Sequence, residues 1–227
     1  LNATAAALEV LEDPSGRWNL TDVVSGSAAD SFQVTHRGLS GFGFTDSAFW
    51  FRFDIDNPAA EPCDMLLVLR TSWLDTVRLY SPDASRPGVY HEQLLGDTLP
   101  FAERAYARPQ FLFLLRIAPG QHTHYLRLTS SEAFMTPVEL WQPEAFHEND
   151  RLWSAYFGML YGILLVMVLY NGFIWVSTGD RNYALYCAYL LSFFLMNFSY
   201  SGFAYQYFWP GSPRFSNWAH VPFIFLY

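Results

Sequence analysis

Apolar and polar residues alternate strictly over residues 49–56. Phe49, Phe51, Phe53 and Ile55 fall on one side and Trp50, Arg52, Asp54 and Asp56 on the other. A period of two is the mark of a half-buried strand, and Asn57-Pro58 ends it. Further strands are expected at 65–70, an unbroken apolar run, and at 76–80, with Val77 and Leu79 inward. Others are expected at 111–117, where Phe111, Phe113, Leu115 and Ile117 share a face, and at 125–129 and 138–141. Residues 7–11 and 31–35 carry weaker versions of the pattern. About eight short strands separated by turn residues predict an all-β antiparallel sandwich, a jelly roll, over residues 1–145. That length encloses a core without help from disulfides.

The pattern changes near residue 150. Residues 152–178 contain no charged side chain, and residues 162–169 are almost purely aliphatic. As a helix such a run exceeds the ~30 Å hydrocarbon core of a bilayer. A second uncharged stretch predicts a span at 183–208, closed by Trp209-Pro210-Gly211-Ser212-Pro213. Thr178-Gly179-Asp180-Arg181-Asn182 is the polar turn between them. A third apolar run begins at about residue 219 and reads as the start of another span. Residues 146–227 are therefore read as transmembrane helices, with spans at about 152–177, 183–208 and from 219. The helix opened at 143–150 runs directly into the first.

Composition sharpens this division. The 227 residues carry a net charge of −8, but residues 1–150 hold 20 acidic residues and 10 arginines, net −10, while residues 151–227 are net +2. Aromatics divide the other way, 19 before residue 151 and 24 after it. No basic patch points to nucleic acid. Two cysteines, Cys63 and Cys187, allow neither a disulfide framework nor a four-cysteine zinc site. Trp153, Trp175, Trp209 and Trp218 lie near the span ends, where interfacial aromatics sit.

Candidate chemistry is sparse. No nucleophile elbow, phosphate loop or zinc-protease helix occurs, so no catalytic residue is assigned. On the polar side of the 49–56 strand, Trp50 can stack on a sugar ring and Arg52 can bind its hydroxyls or a carboxylate. Trp73, Asp75 and Arg108 are candidates to extend that surface. The competing reading packs Trp50 and Trp73 beneath a loop and pairs Arg52 with an acid across the sheet. Asp46, Asp54 and Asp56 supply hard oxygen ligands of the kind calcium takes, although solvated acids fit the same pattern, and no cofactor is required. His122 and His124 read as surface turn histidines. In the helical part, Asn171 and Asn197 are expected to hydrogen-bond between helices, and Gly158 and Gly162 to allow close helix packing.

The order of several short motifs resembles one family. Trp50-Phe51-Arg52-Phe53, Asn57-Pro58, Trp73-Leu74-Asp75 with Val77, Leu79 and Tyr80, Gly96-Asp97, Arg108 with Phe111 and Phe113, Tyr125-Leu126-Arg127, and Pro137 with Leu140-Trp141 resemble the type 2 extracellular sensor domain of bacterial seven-transmembrane receptors with diverse intracellular signalling modules (DISM receptors). Tyr161-Gly162, Leu169-Tyr170-Asn171, Asp180-Arg181-Asn182-Tyr183 and Trp209-Pro210 resemble that family's seven-helix region. The resemblance implies a carbohydrate-binding-module-like jelly roll in the periplasm, an inner-membrane helical bundle and a cytoplasmic kinase, diguanylate cyclase or phosphatase outside this sequence. Its expected partners are a small-molecule ligand (a glycan being one candidate), the lipid bilayer and other receptor chains. The alternatives are a membrane-anchored glycan-binding adhesion module without signalling output, and a membrane-bound glycan-processing enzyme.

Overall fold

The computed structural model describes residues 8–34, 41–132, 134–135 and 137–219. The chain forms two compact units, Leu1–Pro143 and Glu144–Tyr227.

The first unit is an antiparallel β sandwich. Its strands are β1 (Glu9–Asp13), β2 (Gln33–Val34), β3 (Gly41–Phe42), β4 (Ala48–Asn57), β5 (Cys63–Leu69), β6 (Thr76–Pro82), β7 (Tyr90–Leu95), β8 (Phe111–Ile117), β9 (Gly120–Thr129), β10 (Phe134–Met135) and β11 (Val138–Trp141). A six-stranded sheet runs β2-β1-β4-β9-β6-β7 and a three-stranded sheet β11-β5-β8, while β3 and β10 pair separately. The alternation over 49–56 decides which side of β4 faces inward. Phe49, Phe51, Phe53 and Ile55 meet Leu126 and Leu128 of β9, Leu67 and Leu69 of β5, and Phe111, Phe113, Leu115 and Ile117 of β8 in one core. The run over 65–70 lacks alternation because β5 is covered on both faces: Leu66, Leu67, Val68 and Leu69 all have at most 1% exposure. Asn57 ends β4 chemically as well as sterically. Its amide donates to the carbonyls of Glu61 and Ile117, and its oxygen accepts from the Ala59 N–H.

A second, smaller core lies on the other face of the six-stranded sheet. Helix α1 (Leu20–Val24) starts in a capping box in which Asn19 and Asp22 each accept the other's backbone N–H. With its flanking loops it lays Val23, Ala28, Trp18 and Phe32 over Leu11, Trp50, Tyr80 and Tyr125.

The second unit contains α2 (Pro143–Thr178), α3 (Arg181–Tyr200), α4 (Phe203–Tyr207) and α5 (Pro213–Ala219). Pro143 occupies the first helical position, where its missing N–H costs nothing. At ~1.5 Å per residue α2 is about 54 Å long, and among the described residues it is the one helix long and apolar enough to cross a membrane. Asp180 caps α3 after Gly179 turns the chain at φ +72°. The expected continuous span at 183–208 is corrected: α3 ends at Tyr200, and Gly202 at φ +79° separates it from α4. The expected third span lies outside the described residues apart from its first position. Asn171 and Asn197 also depart from expectation. Each amide donates to a carbonyl of its own helix four residues earlier, Met167 and Phe193. Between α2 and α3 the Tyr161 hydroxyl instead donates to the Asn197 carbonyl at 3.3 Å, and the Cys187 thiol to the Val168 carbonyl at 3.5 Å. An added methyl at Gly158 or Gly162 would meet nothing within 4 Å.

Candidate functional site

Register places the expected ligand residues. Trp50 on β4 lies opposite Leu11 of β1 and Arg127 of β9, and Arg52 lies opposite Glu9 and Tyr125. This is the polar side of the strand, but it is not open. Trp50 has 0% exposure, stacks on Tyr80 at 5.8 Å and lies beneath the Arg127 guanidinium. The expectation that it presents a stacking surface is corrected, because α1 and its loops cover it. Arg52 forms an ion pair with Glu9, donates to the Ala29 carbonyl at 3.2 Å and sits 4.4 Å from the Phe32 ring centre. The Glu9 carboxylate raises its pKa. Arg52 thus takes the cross-sheet pairing rather than an open binding role.

The other three residues serve loops. Asp75 accepts from the Ser131 N–H and hydroxyl at 2.8 and 3.2 Å, tying the β5–β6 connection to the end of β9. Trp73 is half-buried, and its carbonyl accepts from Ser130. Arg108, before β8, is half-buried and its carbonyl accepts from Arg104. These positions do not converge with Trp50 and Arg52 on one open surface. The calcium trio is also separated. Asp46 precedes β4 and Asp54 lies eight residues on, about 26 Å at ~3.3 Å per residue, with its carboxylate taken by Gln121 and Thr123. Among the described residues no three His, Cys, Asp or Glu side chains are grouped to hold a metal.

An open cleft of about 450 Å³ lies elsewhere, where the ends of β6, β7 and β9 face the β8 edge. Leu115, Ile117, Ser81, Gln93, His122 and His124 are among the residues that line it. Sequence reasoning treated both β9 histidines as turn residues, and this is corrected for His124. β9 begins at Gly120, not 125, so residues 122 and 124 continue the inward row of Leu126 and Leu128. The alternation 122/124/126/128 was the available signal. His124 is 3% exposed, stacked on Phe53 with ring centres 5.6 Å apart. Its Nδ1 lies 3.3 Å from the Ser81 hydroxyl, and its Nε2 is buried without a partner among the described residues. Burial, with a smaller contribution from His122, lowers its pKa to about 4, against a weak opposing pull from Asp54. His124 is therefore neutral at pH 7. At the rim, the Asp83 carboxylate takes Arg86 at 2.7 Å and His91 at 3.3 Å. Exposed, apolar Leu114 beside hydroxyl, amide and imidazole groups suits a small amphipathic molecule held by a few hydrogen bonds.

Two family models cover almost the whole chain. The model of the 7TMR-DISM extracellular 2 domain matches residues 5–142, and that of the 7TM diverse intracellular signalling region matches residues 153–227. A search of curated proteins finds no match. Among solved structures, the chain is similar to TmCBM61 in complex with beta-1,4-galactotriose, at 10% identity and TM-score 0.31, covering 61% of this chain and 90% of that one. It is also similar to CsCBM6-3 from Clostridium stercorarium in complex with cellobiose, at 9% identity and TM-score 0.25, covering 58% and 91%. A third is a Paenibacillus sp. cycloisomaltooligosaccharide glucanotransferase, at 16% identity and TM-score 0.28, covering 63% and 18%.

Proposed function

The chain belongs to the family of seven-transmembrane receptors with diverse intracellular signalling modules, and on that premise we propose that it is the ligand-sensing part of a bacterial signalling receptor. The sandwich is extracellular to the helical region and, in this reading, lies in the periplasm, with the helices in the inner membrane. A small ligand enters the cleft at the β8 edge. Carbohydrate is the class that best matches its lining, because a sugar ring offers an apolar face to the exposed Leu114 and hydroxyls to Ser81, Gln93 and His122. Catalysis belongs to a cytoplasmic kinase, cyclase or phosphatase; the sandwich and helices bind and transmit.

The observation that carries this reading is the junction. β11 ends at Trp141 and α2 begins at Pro143, so Gln142 alone separates the sensor's last strand from a helix long enough to cross a membrane. Ligand shifts the output only through its differential affinity for two states of that junction. The adhesion alternative requires binding without this coupling.

Residues 1–143, which carry their own core, provide the test in a thermal-shift screen against neutral and acidic mono- and oligosaccharides. At least one sugar should raise Tm, and Leu114→Trp, at an exposed cleft-lining position, should abolish that shift. No stabilising sugar, or a shift that survives Leu114→Trp, contradicts the reading.

A further inference from the structure

We propose that the cleft at the β8 edge is also a proton-responsive gate, in which proton uptake by His124 loosens the packing of β6 and β9 against β8 and makes acidity a second input to the receptor. This rests on the reading of the sandwich as a sensor and adds the regulation of its cleft.

The two nitrogens of His124 have unequal surroundings. A neutral imidazole needs one donor and one acceptor contact, whereas an imidazolium must donate from both nitrogens. Nδ1 has the Ser81 hydroxyl. Nε2 has neither an acceptor among the described residues nor exposure to water. A charge created there is buried and half-satisfied, and such a state is relieved by moving the group to solvent. The nearest solvent is the cleft that the ring already lines.

The surrounding charges do not rescue the imidazolium in place. On β9, His122 lies two residues away on the same face and opposes charge on His124; its Nε2 is 3.2 Å from the Pro119 carbonyl. From β6 and its following turn, the Asp83 carboxylate is already shared by Arg86 and by His91 of β7. From β8 comes Arg116, a further cation. From β4 comes Asp54, but residues 54 and 123 alternate to the opposite face from Phe53 and His124, and its oxygens serve Gln121 and Thr123. Arg86 and Arg116 thus stand at the cleft with one carboxylate, Asp83, that Arg86 and His91 already take. A proton on His124 adds positive charge to these walls.

The bias is large enough to act as a switch. With a pKa of about 4 when packed and ~6.5 when released into water, protonation shifts the packed-to-released equilibrium by up to about 300-fold between neutral pH and pH below 4.

The test uses the full chain in lipid nanodiscs, with Cys63→Ser and Cys187→Ser and spin labels at Ser85→Cys and Leu114→Cys, two exposed positions lining the cleft. Double electron–electron resonance should show longer and broader distances as pH falls from 7.5 to 4. His124→Phe, which keeps a stacked ring without a titrating nitrogen, should hold the neutral distribution throughout. His122→Gln removes the neighbour that helps to lower the His124 pKa and should move the midpoint to higher pH. An unchanged wild-type distribution, or acid opening that persists in His124→Phe, overturns the proposal. If His124→Phe does not fold, the His122→Gln midpoint decides, and an unshifted midpoint overturns it. The sensing reading stands or falls separately, on sugar binding at pH 7.5.

Discussion

Trp50→Ala separates a core role for Trp50 from a ligand-stacking role. The indole is fully buried, packed on Tyr80 and enclosed by the α1 segment, so its removal leaves a cavity between sheet and cover. Large-to-small changes of this kind cost about 3–5 kcal/mol, at least a fifth of the ~5–15 kcal/mol that holds a domain folded. Trp50→Phe isolates a second contribution. The indole N–H has no partner among the described residues, and an orphaned buried donor costs ~1–3 kcal/mol. Phenylalanine removes that donor while leaving a small void worth roughly 1 kcal/mol at ~24 cal/mol per Å³. The two effects oppose, so Trp50→Phe should be within about 1 kcal/mol of wild type. Urea unfolding of residues 1–143, followed by near-ultraviolet circular dichroism, measures both variants. A Trp50→Ala protein as stable as wild type would refute the core assignment and return Trp50 to an accessible surface.

Other expectations follow from the same structure. His124 binds its proton more weakly folded than unfolded, so the unfolded chain gains protons first and stability falls as pH drops from 6.5 towards 4. At ~1.36 kcal/mol per pK unit the loss is about 3 kcal/mol, and urea midpoints of His124→Phe should lack that slope. Gly96→Ala places a methyl 2.2 Å from the Asp75 carbonyl oxygen. It should destabilise the unit by more than ~1 kcal/mol, read as a lowered Tm. Arg52→Gln removes a partly exposed ion pair with Glu9 and should cost about 0.2–1 kcal/mol, less in 1 M NaCl than in low salt.

Much of the fold was legible because burial in a sandwich follows a period of two. The row Phe49, Phe51, Phe53, Ile55 and the run at 111–117 occupy the core as their pattern dictates. β7, reading Tyr-His-Glu-Gln-Leu-Leu, was invisible because an edge strand with mixed faces carries no clean period, and the two-residue strands β3 and β10 are too short for one. The binding surface was harder. Trp50 and Arg52 lie on the polar side of β4, but whether that side meets water depends on the segment carrying Trp18 to Phe32, earlier in sequence, folding back over it. Pattern along one strand holds no record of such a cover. His124 was misplaced for the converse reason: a histidine next to a turn looks exposed until the inward row it continues is noticed. In the membrane part, charge and hydropathy located the helices, while Gly202 limited the second to twenty residues.

The central claim is that occupancy of the sandwich reaches α2 through the Trp141–Pro143 junction. Hydrogen exchange across residues 138–150 of the full chain in nanodiscs, at constant pH with and without a saturating sugar identified on residues 1–143, tests it most directly. The expected result is altered protection at the junction together with protection around the cleft, both lost in Leu114→Trp. Protection at the cleft with an unchanged junction would mean that the sandwich binds without signalling, and would contradict the account.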